Sequence, residues 1–176
     1  MQKSAIDNII STLAKTLLTN PDSFEELAKT NSKLLDLSDR SYLCDSLHDP
    51  PVHSDIDPNE LRLGQWLFVS QYSIFELFYN LGSDSLELLR DFAFGEYDWT
   101  QAIALEVLCR LSVDGKISDT IIDEIDSKLD KMRYETHLYF ARSLIFRAKR
   151  DKRFENVIQQ IRNSEFREAL IEVAEN

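Results

Sequence analysis

Apolar residues recur at three- and four-residue steps along nearly the whole chain, and this spacing restricts the fold more than any other feature. Ile6, Ile9, Ile10, Leu13, Leu17 and Leu18 share one face if 4–19 is wound as a helix. Asn20-Pro21 reads as a cap followed by proline in the first helical turn, opening a short helix with Phe24, Leu27 and Ala28. Leu34, Leu35 and Leu37 suggest a further turn or helix. Later helices are expected at 58–81, 84–94, 98–113, 119–132, 134–149, 152–162 and 165–175, with Gly82, Gly95 and Gly115 as stops. The β-branched run Ile121-Ile122 sits inside a helical pattern, and no segment reads as a strand. The expected fold is all-α.

One segment breaks the pattern. Residues 45–60 hold three of the four prolines and five acids, with no lysine or arginine. They read as a loop and as the best place for a boundary. The loop ends in Asp57-Pro58-Asn59-Glu60, which has the form of a capping box. The chain therefore reads as one helical domain over 1–176. N-terminal helices fill 1–44, an acidic proline-containing loop fills 45–57, and a helical array fills 58–176.

That array carries an internal repeat. Residues 104–111 align with 141–148 at an offset of 37, and 86–89 align with 122–125 at a similar one. Pairs of antiparallel helices recurring at this period form solenoids, because one pair cannot bury its apolar face alone. Leu86, Leu88 and Leu89, the turn with Asp98 and Trp99, and the run Ala102, Ile103, Ala104, Leu105, Val107, Leu108 and Leu111 together resemble a HEAT repeat. The family pattern often has an arginine soon after the aspartate, where this chain has Gln101. The resemblance covers about 82–149 and extends towards 58–81 and 152–175. It implies antiparallel helix pairs stacked as a short solenoid.

Charge and composition limit the function classes. With 31 acids against 20 bases the net charge is −11, which repels nucleic acid and anionic membranes. Four glycines leave little for phosphate-cradling loops, and two cysteines build no disulfide framework. Asp7 and Asn8 interrupt the first apolar run, so it does not read as a secretion signal, and no run of 18 apolar residues spans a membrane. The expected setting is the cytoplasm.

Catalytic and metal-binding patterns do not assemble. Cys44, His48 and His53 stand near Asp45, Asp49 and Asp55, but the spacing offers no paired zinc ligands. A calcium loop built around Asp114-Gly115 would need Arg110 and Ile121 as ligands, which excludes it. Glu25-Glu26, Asp123-Glu124 and Asp126 fall on polar helix faces. His137 reads as a surface or partly packed helical residue and Cys109 as a core thiol, while Cys44 has no basic neighbour to activate it. No enzyme, cofactor or metal is expected.

The charge is nonetheless uneven. Residues 128–167 carry 11 Lys and Arg against 5 Asp and Glu, and the remainder carries 9 against 26. The cluster from Arg147 to Arg153 suits a helix C-terminus, an intramolecular partner or a second copy, and less readily phosphate. Acids mixed with aromatics suit a basic protein partner, with rings as anchors and charge for steering. The expected contacts are Asp49, Asp55, Asp57 and Glu60 in the loop and Glu96, Tyr97, Asp98 and Trp99 in the turn. A second expected surface is the concave stripe of Tyr72, Glu76, Glu106 and Arg110, continuing to Ser143 and Arg147. In size, charge and helical build the chain is similar to immunity proteins of bacterial contact-dependent growth-inhibition and related toxin systems. That resemblance implies neutralisation of a cationic nuclease domain by blocking its active site. An adaptor that scaffolds a complex is the alternative, and a helical-repeat nucleic-acid binder comes third.

Overall fold

A computed structural model describes residues 1–57 and 63–175. Among them the structure is helical and without strands. The chain divides into two compact units, Met1–Leu81 and Gly82–Asn176. The division falls at Gly82 and not at the proline-containing loop, because the long helix after that loop packs back on the helices before it.

The first unit contains α1 (Lys3–Thr19), α2 (Phe24–Ser32), α3 (Arg40–Asp45) and α4 (Leu63–Leu81). Short 3-10 turns at Pro21–Ser23 and Leu37–Asp39 lead into α2 and α3. α4 packs against both α1 and α2. Ile6, Ile10, Leu13, Leu43, Leu47, Ile74, Phe75 and Phe78 form its buried interior. The acidic loop is shorter than expected at its start, since Asp45 still belongs to α3. It is also anchored. Leu47 is buried, its carbonyl accepts a 3.0 Å hydrogen bond from Gln71 Nε2, and Ile56 packs on Ala14, Trp66 and Val69. Pro58, Asn59 and Glu60, which complete the expected capping box, lie outside the described residues.

The second unit contains α5 (Leu86–Phe94), α6 (Gln101–Val113), α7 (Thr120–Lys128), α8 (Tyr134–Ala148), α9 (Arg153–Gln160) and α10 (Ser164–Glu175). α6 packs on α5 and α8, and α8 packs on α10. Arg90 of α5 reaches Glu124 of α7 at 2.7 Å, and α7 packs on α9. Polar contacts in this unit join residues one helix pair apart. Thr136 Oγ1 donates to Gln101 Oε1 at 2.9 Å, the backbone N–H of Asn163 donates to Asp126 Oδ1 at 2.8 Å, and Arg153 meets Asp114 at 2.9 Å.

The helix ends are set locally. Gly115 and Gly82 both have φ of +67°, the left-handed conformation that glycine takes without Cβ strain. Gly95 works differently from the expected stop: its backbone is extended, with φ −77° and ψ −160°, and a Cβ there would lie 2.4 Å from the Asp91 carbonyl oxygen. Close approach, and not a left-handed turn, excludes a side chain. Asn163 caps α10 by accepting from the Phe166 N–H at 2.9 Å.

His137 is fully buried, in contrast to the surface or partly packed site expected for it. Its Nε2 lies 3.1 Å from the Leu129 carbonyl oxygen and 3.6 Å from Glu165 Oε2. Burial pushes its pKa below the ordinary histidine value, against the pull of Glu165, the backbone of Leu129 and Met132, and Asp130. The fold thus favours the neutral ring. Stability from this group is present above the unfolded-state pKa of about 6.5 and is lost as pH falls towards the depressed folded value. Urea unfolding should show a less stable chain at about pH 5.5 than at about pH 7.5, and His137→Gln should shrink that difference while lowering stability at both values.

Candidate functional site

The turn between α5 and α6 presents an aromatic cluster. Its shape follows from three anchors. Asp98 Oδ1 accepts the Thr100 N–H at 2.8 Å, the Gln101 N–H donates to the Asp98 carbonyl at 3.0 Å, and the buried Gln101 side chain is held by Thr136. With Thr100 and Gln101 fixed inside, the intervening Trp99 is turned outward and is 66% exposed. The Tyr97 ring lies 6.3 Å from Trp99, and the Tyr139 ring of α8 lies 6.4 Å from it on the other side. Arg133 stacks its guanidinium 4.3 Å from the centre of Tyr97. Glu96 and Glu135 are exposed beside these rings. Burial pushes the Tyr97 hydroxyl pKa up, and the neighbouring Glu135 carboxylate adds to it.

Of the turn residues expected from sequence, Glu96, Tyr97, Asp98 and Trp99 therefore belong to one surface, with Asp98 also occupied in shaping it. Arg133, Glu135 and Tyr139 complete the surface and were missed, because they come from α8 and the residue before it, more than 30 residues away. The sequence held only a loose signal for them: the offset of 37 carries Trp99 onto Thr136, beside Glu135 but not onto Arg133 or Tyr139.

The other expected contacts are dispersed. In the loop, Asp49 and Asp57 are exposed. Asp55 is bound to Lys15 of α1 at 2.5 Å, and that hydrogen-bonded ammonium holds its carboxyl below the usual range. Its charge is thus engaged within the chain. Glu60 lies outside the described residues. Tyr72 is half-buried, packed 5.9 Å from Phe24 and 6.4 Å from the exposed ring of Phe68.

The expected polar stripe is corrected residue by residue: Glu76 of the first unit and Glu106 and Arg110 of the second are each buried, at 2%, 2% and 6% exposure. Glu106 Oε1 accepts from Arg147 Nε at 2.5 Å and lies 3.9 Å from Arg110 Nε. These charges lie where α6 packs on α8, and removing one partner would strand the others away from water. The basic cluster is also largely engaged. Arg147 binds Glu106, Arg153 binds Asp151 and Asp114, and Arg150 stacks 4.2 Å over the exposed Phe146 ring.

The acidic pairs have structural roles as well as solvated faces. Glu124 binds Arg90 and Lys128, each at 2.7 Å, and Asp126 holds the backbone before α10. Neither cysteine has thiolate character. Burial and Asp45 push the Cys44 pKa up to about 11, and burial raises that of Cys109. Among the described residues, no group of three or more His, Cys, Asp and Glu side chains is placed to hold a metal ion. No helix there is long and apolar enough to cross a membrane.

Comparison with family models, curated proteins and solved structures finds no match.

The buried ion pair separates structural from surface arginines on the same helix. Arg147→Met should lower the unfolding free energy by about 3 kcal/mol or more, because it takes the 2.5 Å partner from a buried carboxyl group. Arg142→Met, at an exposed position of α8, should change it by less than about 0.5 kcal/mol in dilute solution, with both read from denaturant melts.

Proposed function

We propose that the chain is a non-catalytic protein-binding module of the immunity or antitoxin kind, which neutralises a cationic nuclease domain by covering its active site. The observation that carries this reading is Trp99, 66% exposed between Tyr97 and Tyr139 and bordered by Glu96, Asp98 and Glu135. An exposed ring in a polar rim is the composition of an energetic anchor at protein interfaces. The surrounding acids add attraction for a basic partner, as does the net charge of −11. Such a module would act in the cytoplasm.

The reading rests on a HEAT-like arrangement, for which two observations speak. The second helices of the pairs, α6, α8 and α10, pack in chain order, and polar contacts recur one pair apart. The adaptor reading draws on a different feature. Phe68 is 56% exposed beside Tyr72 in the first unit, which supplies a second aromatic surface. An adaptor would hold two partners at once, where an inhibitor holds one tightly.

Co-expression with a nuclease domain encoded beside this chain in its genome tests the proposal. Protection of growth and a tight one-to-one complex are expected. Trp99→Ala should weaken the complex roughly 30-fold or more, and Glu96→Lys combined with Glu135→Lys should slow association and reduce protection. Lack of protection, or an affinity indifferent to both changes, would refute it.

A further inference from the structure

The exposed face of α8 carries charges of both signs. Glu135, Tyr139, Arg142 and Phe146 are all exposed, and their spacing of four, three and four residues places them along one side of the helix. Trp99 widens this face at Tyr139, 6.4 Å away. The three rings are 66%, 46% and 48% exposed for Trp99, Tyr139 and Phe146, an amount of aromatic surface that points to an interaction site. Glu135 marks one end of the face. Arg142 and Arg150, the latter stacked on Phe146, mark the other. Glu135 and Arg142 are separated by about 10 Å along the helix, too far to pair with each other. Neither takes part in an ion pair among the described residues.

We propose that this face joins two copies of the chain about a twofold axis passing near Tyr139. Tyr139 stands close to the midpoint between Glu135 and Arg142. Reversing a second copy about that point sets Glu135 of each chain against Arg142 of the other and brings the Tyr139 and Trp99 rings together at the centre. A twofold interface requires this self-complementarity, in which residue i meets j and j meets i. A cationic protein laid along the whole face would meet Arg142 and Arg150. A nucleic acid would meet Glu135 and a chain of net charge −11. A second copy satisfies both ends. This inference goes beyond the toxin-binding reading and needs no other molecule; because both use Trp99, Tyr139 and Glu135, the dimer would have to open before a toxin bound at this face.

Sedimentation of the purified full chain over a wide dilution series tests it. A reversible monomer–dimer equilibrium is expected. Arg142→Glu and Glu135→Arg should each weaken it by about tenfold, because each places like charges together twice. The double variant E135R/R142E should recover to within about threefold of the original, since the pairs are restored with their signs exchanged. Helical content by circular dichroism should be unchanged in all three, as both positions are exposed. A chain that stays monomeric throughout, a dimer indifferent to the single changes, or a double variant no better than the singles would overturn the proposal.

Discussion

The second unit depends on the near-complete burial of α6. Residues 101–111 of this helix are all buried except the partly exposed Ile103, so the helix contributes packing surface in several directions. α5, α7, α8 and α9 all pack against it. Such a helix must pair every charge it carries. Glu106 lies 3.9 Å from Arg110 on its own helix and accepts from Arg147 of α8 at 2.5 Å, so guanidinium groups from two helices hold its buried carboxylate. The same contact consumes part of the basic segment that would otherwise read as a phosphate-binding cluster.

The aromatic turn is a consequence of that burial. The first turn of α6 is fixed inside by Thr100 and Gln101, and Asp98 closes the backbone over it. Trp99 is left facing water between two anchored neighbours, on a rigid base. Preorganised rings of this kind lose little freedom on binding, which makes the turn a better recognition element than the longer acidic loop. The loop is held down by Leu47, Ile56 and the Lys15–Asp55 pair, so part of its charge is already satisfied.

Much of the helical architecture was legible because amphipathic periodicity is local. Ile6, Ile10 and Leu13 sit inside as the spacing requires, and Asn20-Pro21 does precede a helix. The short α3 was not foreseen, since its six residues are too few for a period to emerge. Glu76, Glu106 and Arg110 were assigned to an open face because periodicity treats polar positions as outward. A helix buried on every side defeats that rule, and the sparse charge of α6 was the available warning. Tyr139 and Arg133 escaped for another reason: a site assembled across helix pairs leaves no local pattern.

Trp99 stands as a solvent-facing anchor on a folded turn. The chain has two tryptophans, and Trp66 is 6% exposed where Trp99 is 66% exposed. Acrylamide quenching of a Trp66→Phe variant, in solution dilute enough to be monomeric, isolates the second. Red-shifted emission with efficient quenching is expected, in a chain that still melts cooperatively. Blue-shifted emission protected from acrylamide would place Trp99 in the interior and contradict that exposure.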